Sequence, residues 1–413
     1  MSVKTKKRGK AALIVLASIV CVLIIAVGVC AVTSLVGIKS NENFIGVLEP
    51  VKYEAQLTPT MGDDGCYTFT TDGDFKVMQL TDVHIGGGFM SIKKDSMALN
   101  AVAAMIAEEK PDLVVVSGDI AYPVPFQAGT FNNKNAAKLF AELMEQLGVY
   151  WCPAFGNHDT ESYSYFTRDN MGDFYESDDY PHCLFQKGPD DIYGCGNYLV
   201  KVKNTAGEIV QGIFVIDSND YLGNSLVGSI VWNYDFIHED QINWYKNQVA
   251  AMTEENGGKT PKSIAFFHIP LVEYLDAWTE YTENGMQDTD NVKYYFGKVG
   301  ETGSLVYASQ TNSGMFDAAL EAGSTQGFFC GHDHLNNFSL DYKGIRLTYG
   351  YSIDYLAYVG IMNYGSQRGC TMITISPDGS FETVHENYYQ EKYSSVKEKE
   401  QVSFDDYYSP NEE

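Results

Sequence analysis

Positive charge is what this sequence lacks most. Its 413 residues hold 28 Lys and Arg against 54 Asp and Glu, for a formal net charge of −26. That deficit argues against a nucleic-acid partner, because phosphate backbones are gripped by basic faces. Its simplest meaning is solubility through self-repulsion. No internal repeat is visible. The eight cysteines do not have the spacing of a zinc ribbon. Two of them, Cys21 and Cys30, lie in an apolar run. Of the other six, Cys183 and Cys195 are a plausible local disulfide, with six buried thiols as the equal alternative.

Charge is absent altogether from Ala11 to Ile38. About 20 apolar residues of helix cross a bilayer core, and this run is longer. A cleaved signal peptide has a shorter core, and no clean small-x-small cleavage site follows. Residues 11–38 are therefore expected to be a transmembrane signal anchor. The first ten residues carry Lys4, Lys6, Lys7, Arg8 and Lys10 and no acid. Basic flanks stay inside, so residues 1–10 are expected as a cytoplasmic tail, with the remainder of this single-pass chain extracytoplasmic. Residues 39–65 read as a stalk, 66–388 as the folded domain and 389–413 as a polar, disordered tail.

Hydrophobic residues make up 45% of the chain, enough for a sizeable core. "CYTFTTDGDFKVMQL" reads as two strands about an Asp72-Gly73 turn. Strands then alternate with helices: "FKVMQL", "SMALNAVAAMIAEEK", "PDLVVVS", "NAAKLFAELMEQLG", "VYWCPAF". That βαβαβ order predicts a largely parallel sheet covered by helices. "NYLVKV", "IVQGIFVID", "KSIAFF" and "TQGFF" are further strands, and two hairpins follow, the second turning at Asp378-Gly379. The expectation is an α/β fold of two packed mixed sheets with outer helices.

Histidine is scarce, yet five of the eight fall directly after strands. "FKVMQL" is followed by "TDVH", with Asp82 and His84. "PDLVVVS" is followed by "GDIAY", with Asp119. "VYWCPAF" leads to "GNHD", with Asn157, His158 and Asp159. "KSIAFF" leads to "HIP", with His268, and "TQGFF" to "CGHDH", with His332 and His334. Loops at the carboxyl ends of parallel strands converge on one crevice. Alternate spacing in Asp-x-His and His-x-His sends two side chains out on one side. Carboxylate, amide and imidazole together suit manganese, iron or zinc better than calcium. Asp82, His84, Asp119, Asn157, His268, His332 and His334 are seven candidate ligands, enough for two metals sharing Asp119.

These five motifs, in this order, resemble the calcineurin-like metallophosphoesterase superfamily over roughly Cys66 to Tyr388. "DFKVMQLTDVH", "DSNDY", "FFHIPLVEY" and "TNSGMFDAAL" resemble its branch of plant purple-acid-phosphatase-29-like proteins and a fungal cell-cycle-regulator phosphatase. The resemblance implies a four-layer α/β/β/α sandwich and two divalent or trivalent metal ions, with Mn, Fe, Zn or Mg as candidates. It implies Asp82, His84 and His334 on the first metal, Asn157, His268 and His332 on the second, and Asp119 between. It implies a phosphate ester substrate, with monoesters favoured, attacked by a metal-bridging hydroxide. His158 would assist the leaving group, and Asp159 would orient His158. Tyr122 fits the G-D-x-x-Y pattern of purple acid phosphatases, but His84 competes for that coordination position, so Tyr122 is read as cleft wall.

Other readings stay beside this one. The 29 tyrosines could include a stacking site, as a nucleotidase or phosphodiesterase would use. A catalytically silent metal-binding surface protein would keep the fold, but broken motifs would mark it and all are intact. The acidic, aromatic insertion Glu161 to Gly194 is expected to wall the active site. His182, His238 and His385 match no motif.

Overall fold

The computed structural model describes the backbone of residues 3–12 and, in full, residues 13–223, 228, 231–301, 303, 305–358 and 368–397. The uncharged run forms helix α1 (Val3–Ile45). Its segment Leu13–Ile45 is long and apolar enough to cross a membrane, and its most apolar stretch is not buried against the protein.

Two mixed sheets follow. One has five strands: β3 (Phe75–Leu80), β4 (Leu113–Ser117), β5 (Trp151–Ala154), β13 (Gly369–Ile375) and β14 (Phe381–Asn387), in the order β14-β13-β3-β4-β5. Its β3, β4 and β5 are parallel, and the β13–β14 hairpin adds on antiparallel. The other has nine: β1 (Thr60–Met61), β2 (Tyr67–Thr70), β6 (Tyr198–Lys203), β7 (Ile209–Val215), β8 (Lys262–Phe266), β9 (Val292–Phe296), β10 (Thr325–Cys330), β11 (Ser339–Tyr342) and β12 (Ile345–Tyr349). Their order is β1-β2-β6-β7-β8-β10-β12-β11-β9, with β7, β8, β10 and β12 parallel.

The strand sequences explain the layering. Side chains alternate between sheet faces. In the nine-stranded sheet Ile213, Val215, Ile264, Phe266 and Phe329 belong to the core shared with the five-stranded sheet. Their neighbours Phe214, Ala265, Phe267 and Phe328 belong to a second core. That core packs under α4 (Glu239–Glu255), α5 (Val272–Glu283) and α6 (Met315–Ala322). Helices α2 (Ile92–Glu109) and α3 (Asn133–Leu147) cover the five-stranded sheet. The result is helix, sheet, sheet, helix. Apolar runs such as "LVVVS" have no polar alternation because both faces are buried.

Several expectations need correction. The strands either side of Asp72-Gly73 form, but they part into different sheets: β2 pairs with β6 and β3 with β4. Residues 39–65 lie against the domain instead of standing off it: α1 runs through Ile45, and Phe44, Ile45 and Leu48 are buried in the core. The polar sequence hides these three apolar anchors. Likewise Tyr393 is buried, and its hydroxyl donates to Glu109 at 2.7 Å, so the tail is packed through residue 397. Residues 398–413 lie outside the described residues. All eight cysteines are free thiols, so no Cys183–Cys195 disulfide forms. Cys183 is buried beside Trp151, whereas Cys195 packs near Gly172.

Candidate metal centre

The two sheets bring their parallel strands to one edge, and the seven candidate ligands meet there. His84 Nε2 is 3.1 Å from Asp119 Oδ2. His268 Nε2 is 3.1 Å from the same oxygen, 3.2 Å from Asn157 Oδ1 and 3.3 Å from His332 Nδ1. His334 Nε2 is 3.4 Å from Asp82 Oδ1. Asp82, His84 and His334 offer ligand atoms within 4.8 Å of one another, as do Asp82, Asp119 and His268. Asp82 thus reaches both groups, where the sequence suggested Asp119 alone as the bridge.

The chemistry of this cluster calls for a cation. His268 Nδ1 faces the Ser117 carbonyl oxygen at 2.9 Å, so that nitrogen carries the proton. Its Nε2 then faces a carboxylate and an amide oxygen, which have no proton to give, and the Nδ1 of another imidazole. Asp82 Oδ1 is buried with no hydrogen-bond partner. Such oxygens and nitrogens gather only around a metal ion or extra protons. The same packing shifts the titration of these groups. Burial would raise the Asp119 carboxyl, yet His268 and His158 hold it well below its ordinary value. Burial opposes protonation of His84 and His268, but Asp354 and Asp119 respectively push them up to about 9. His332, buried beside His268, is driven well below the ordinary histidine value.

Local backbone serves this convergence. Asp82, His84, Asp119 and His332 have φ of 50°, 51°, 55° and 77°, in the left-handed region that non-glycine residues avoid. Strain of this kind gathers at functional sites. A Cβ on Gly156 would come within 2.5 Å of the Asp119 backbone nitrogen, and one on Gly331 within 2.7 Å of Asp82 Oδ2. Glycine is needed at both because side chains from another strand's loop occupy that space, Asp119 at Gly156 and Thr81 with Asp82 at Gly331.

Residues 75–336, more than half of the chain, match the family model of the calcineurin-like phosphoesterases. The chain belongs to that family. Among its relatives are two proteins of Arabidopsis thaliana. "Probable inactive purple acid phosphatase 14" is 28% identical over 70% of this chain and 73% of its own length. "Probable inactive purple acid phosphatase 29" is 29% identical over 70% and 74%. "Phosphatase DCR2" of Saccharomyces cerevisiae is 31% identical over 66% of this chain and 46% of its own. A crystal structure of a dimetal phosphatase from Danio rerio aligns with a TM-score of 0.45 and 14% identity, over 78% of this chain and 99% of that one.

In this calcineurin-like phosphoesterase the surroundings of the ligands differ from the sequence-based expectation at two points. The Asp159 carboxylate makes no hydrogen bond to the His158 ring. Its carboxylate accepts the backbone N–H groups of Asp119, Gly156 and Ala121 at 2.7 to 2.9 Å, which braces the loops under the ligands. The carboxylate at His158 is Glu161, whose Oε1 lies 2.9 Å from Nδ1. Tyr221 links the two parts: its hydroxyl accepts from Asn157 Nδ2 at 2.8 Å and donates to Glu161 at 3.2 Å. Asp354 was missed altogether. It is fully buried and lies 3.4 Å from His84 Nδ1 and 3.1 Å from His334 Nδ1, behind both imidazoles. It follows β12, a parallel strand, and that strand-end position is the signal that could have found it. Tyr122 donates its hydroxyl to Gln127 at 2.8 Å and forms cleft wall.

The cleft over the ligands has a volume of about 450 Å³. Its walls include Tyr122, Trp232, Tyr234, Tyr307 and Tyr358, with His158 at the side. The insertion 161–194 does not line it beyond the Glu161 contact. Its Met171, Phe174, Tyr175 and Phe185 are core, and Arg168 is locked on Asp217 by two bonds of 2.7 and 2.9 Å.

Proposed function

We propose that this chain hydrolyses phosphate monoesters, with metal ions held by Asp82, His84, Asp119, Asn157, His268, His332 and His334. The carrying observation is the set of facing lone pairs around His268 Nε2 and Asp119 Oδ2. Two such ions, when bound, would neutralise phosphate oxygens as Lewis acids and lower the pKa of an attacking water. They would also give an acidic protein the local positive charge that an anionic substrate needs. The remaining work falls to side chains. Glu161 holds His158 by Nδ1, which leaves Nε2 to give a proton to the departing alcohol. Tyr221 ties that pair to Asn157, so leaving-group help and metal ligation share one rigid support. We also read α1 as the membrane anchor, with the basic tail cytoplasmic and the catalytic domain on the far side.

Two further readings have an observation behind them. The aromatic cleft walls favour a nucleotidase or phosphodiesterase, whose substrate would stack. The word "inactive" in the plant relatives' names favours a silent metal-binding protein. One experiment separates all three. The full chain in detergent is stripped with a chelator, then given manganese, zinc, iron or magnesium. Hydrolysis of a phosphomonoester and a phosphodiester chromogen is measured beside a His158→Ala variant. Metal-dependent monoester turnover that falls about 10²–10⁴-fold in His158→Ala supports the proposal. Diester preference, or marked preference for an added nucleoside monophosphate over the monoester chromogen, selects the second reading. Bound metal without turnover of either ester selects the third.

A further inference from the structure

The path of α1 bears on what can reach the cleft. A Cβ on Gly37 would collide with Ile92, the first residue of α2. Glu42 pairs with Lys138 of α3 at 2.7 Å. Further on, Gln146 donates to the Leu48 carbonyl at 2.6 Å, and the Val51 N–H donates to Leu147 at 2.9 Å, at the end of α3. The contacts march from the start of the covering helices to their end. Helix α1 therefore runs the same way as α3, and its apolar stretch projects past the N-terminal ends of α2 and α3. Those ends receive the loops that carry Asp82, His84 and Asp119. The uncharged run ends at Ile38, and Gly37 already touches the domain. At about 1.5 Å rise per residue, no free linker remains to swing the domain round.

The loops at this end carry exposed apolar tips. Met90, Phe126, Phe131 and Tyr165 are 52%, 88%, 40% and 68% exposed. Lone exposed apolar residues are ordinary, but these are gathered. Met90 N–H donates to Ala128, two residues from Phe126. Tyr165 N–H donates to Phe131, and their rings stack at 6.1 Å. Gln127, beside Phe126, reaches the carbonyls of Leu356 and of Ala357, which lines the cleft. Trp232, 62% exposed, is on the cleft rim. Lys39, Lys93, Lys94 and Lys134 lie at the same end of a strongly acidic chain. Aromatic tips with a basic fringe suit the headgroup layer of an anionic membrane.

We propose that the cleft faces the bilayer that α1 enters, and that the substrate is a phosphate monoester carried on a membrane lipid. The substrate clause rests on the phosphatase reading, and the orientation on α1 as the anchor. In the reaction a water oxygen bonds to phosphorus, the ester P–O bond breaks, and the lipid alcohol leaves with a proton. The shallow aromatic tips hold the cleft at headgroup depth, where such a phosphate lies.

The test uses the full chain in phosphatidylcholine vesicles. Phe126→Trp adds a fluorophore, and lipids brominated high on the acyl chain should quench its signal above the wild-type background. An unquenched Phe126→Trp overturns the orientation, whatever the activity. In the same vesicles, turnover of phosphatidic acid is compared with that of a soluble nucleoside monophosphate. The double variant Phe126→Ser, Tyr165→Ser should lose about tenfold on the lipid and nothing on the nucleotide. Nucleotide turnover without lipid turnover overturns the lipid substrate and leaves the phosphatase reading standing. Absence of both rates in the unmutated chain sinks the phosphatase reading and the substrate clause with it, and an equal loss of both in the double variant overturns the membrane role of the tips, while quenching still decides the orientation.

Discussion

Asp354→Asn probes the support behind two imidazoles at once. Asp354 Oδ1 accepts the N–H groups of Leu356 and Ala357, both at 2.7 Å, and lies 3.4 Å from His84 Nδ1. Oδ2 accepts the Tyr358 N–H at 2.6 Å and lies 3.1 Å from His334 Nδ1. An amide keeps only one oxygen. Placing it at Oδ1 satisfies two N–H groups and His84, so the NH₂ falls opposite His334 and Tyr358. His334 then loses the carboxylate that aims its Nε2 toward Asp82. Loss of such an outer partner weakens metal binding by about 10–100-fold, or about 1.4–2.7 kcal/mol. The weakening should be confined to the metal proposed at Asp82, His84 and His334. The metal at Asn157, His268 and His332 should change by less than about twofold, because Asp354 touches none of those residues. Chelator-competition titration of the full chain reads the two affinities. Thermal unfolding of the metal-free variant reads separately the cost of the unsatisfied Tyr358 N–H, about 1–3 kcal/mol. Equal losses at both metals, or none at either, would refute the argument.

Glu161→Gln should lower kcat about tenfold with metal content unchanged, because His158 loses its charged partner while all seven ligands stay; metal analysis beside kinetics checks it. Gly156→Ala should abolish stoichiometric metal binding, since its Cβ would displace Asp119. A fully loaded Gly156→Ala protein, by elemental analysis, would contradict that account. His385 is buried between Thr371 and the Asn337 carbonyl, and burial pushes it down to about 3. Between its ordinary value of about 6.5 and about 3, the unfolded chain binds the extra proton. Stability present above pH 6.5 should therefore fall with acid, by up to about 1.4 kcal/mol per pH unit. Denaturant titrations of His385→Gln should have a flatter slope over that window.

The convergence of the candidate ligands was legible because each piece is short and local: a strand, a turn, then an acid or imidazole at fixed spacing. The layers were legible because doubly buried strands such as "LVVVS" carry no polar alternation. What the sequence hid was relational. Asp354 is one acid among 54, and only the meeting of β12 with the ligand loops gives it meaning. The family resemblance made Asp159 the expected partner of His158. The turn sends its carboxylate to three backbone N–H groups and brings Glu161 round instead. Phe44, Ile45 and Tyr393 are single apolar anchors in polar stretches, too sparse to break a pattern that reads as stalk or tail.

The left-handed backbone at Asp82, His84, Asp119 and His332 sets a direction for the chain's history. Each position forgoes about 1–2 kcal/mol relative to a residue without a Cβ. Summed over four, that is a sizeable part of the roughly 5–15 kcal/mol by which domains are stable. Glycine would relieve the backbone at the very positions where it would remove a ligand. Once selection for catalysis lapsed in a lineage, drift at these four positions would be pulled toward glycine by folding itself. A descendant with glycine there would have gained backbone stability by giving up its chemistry.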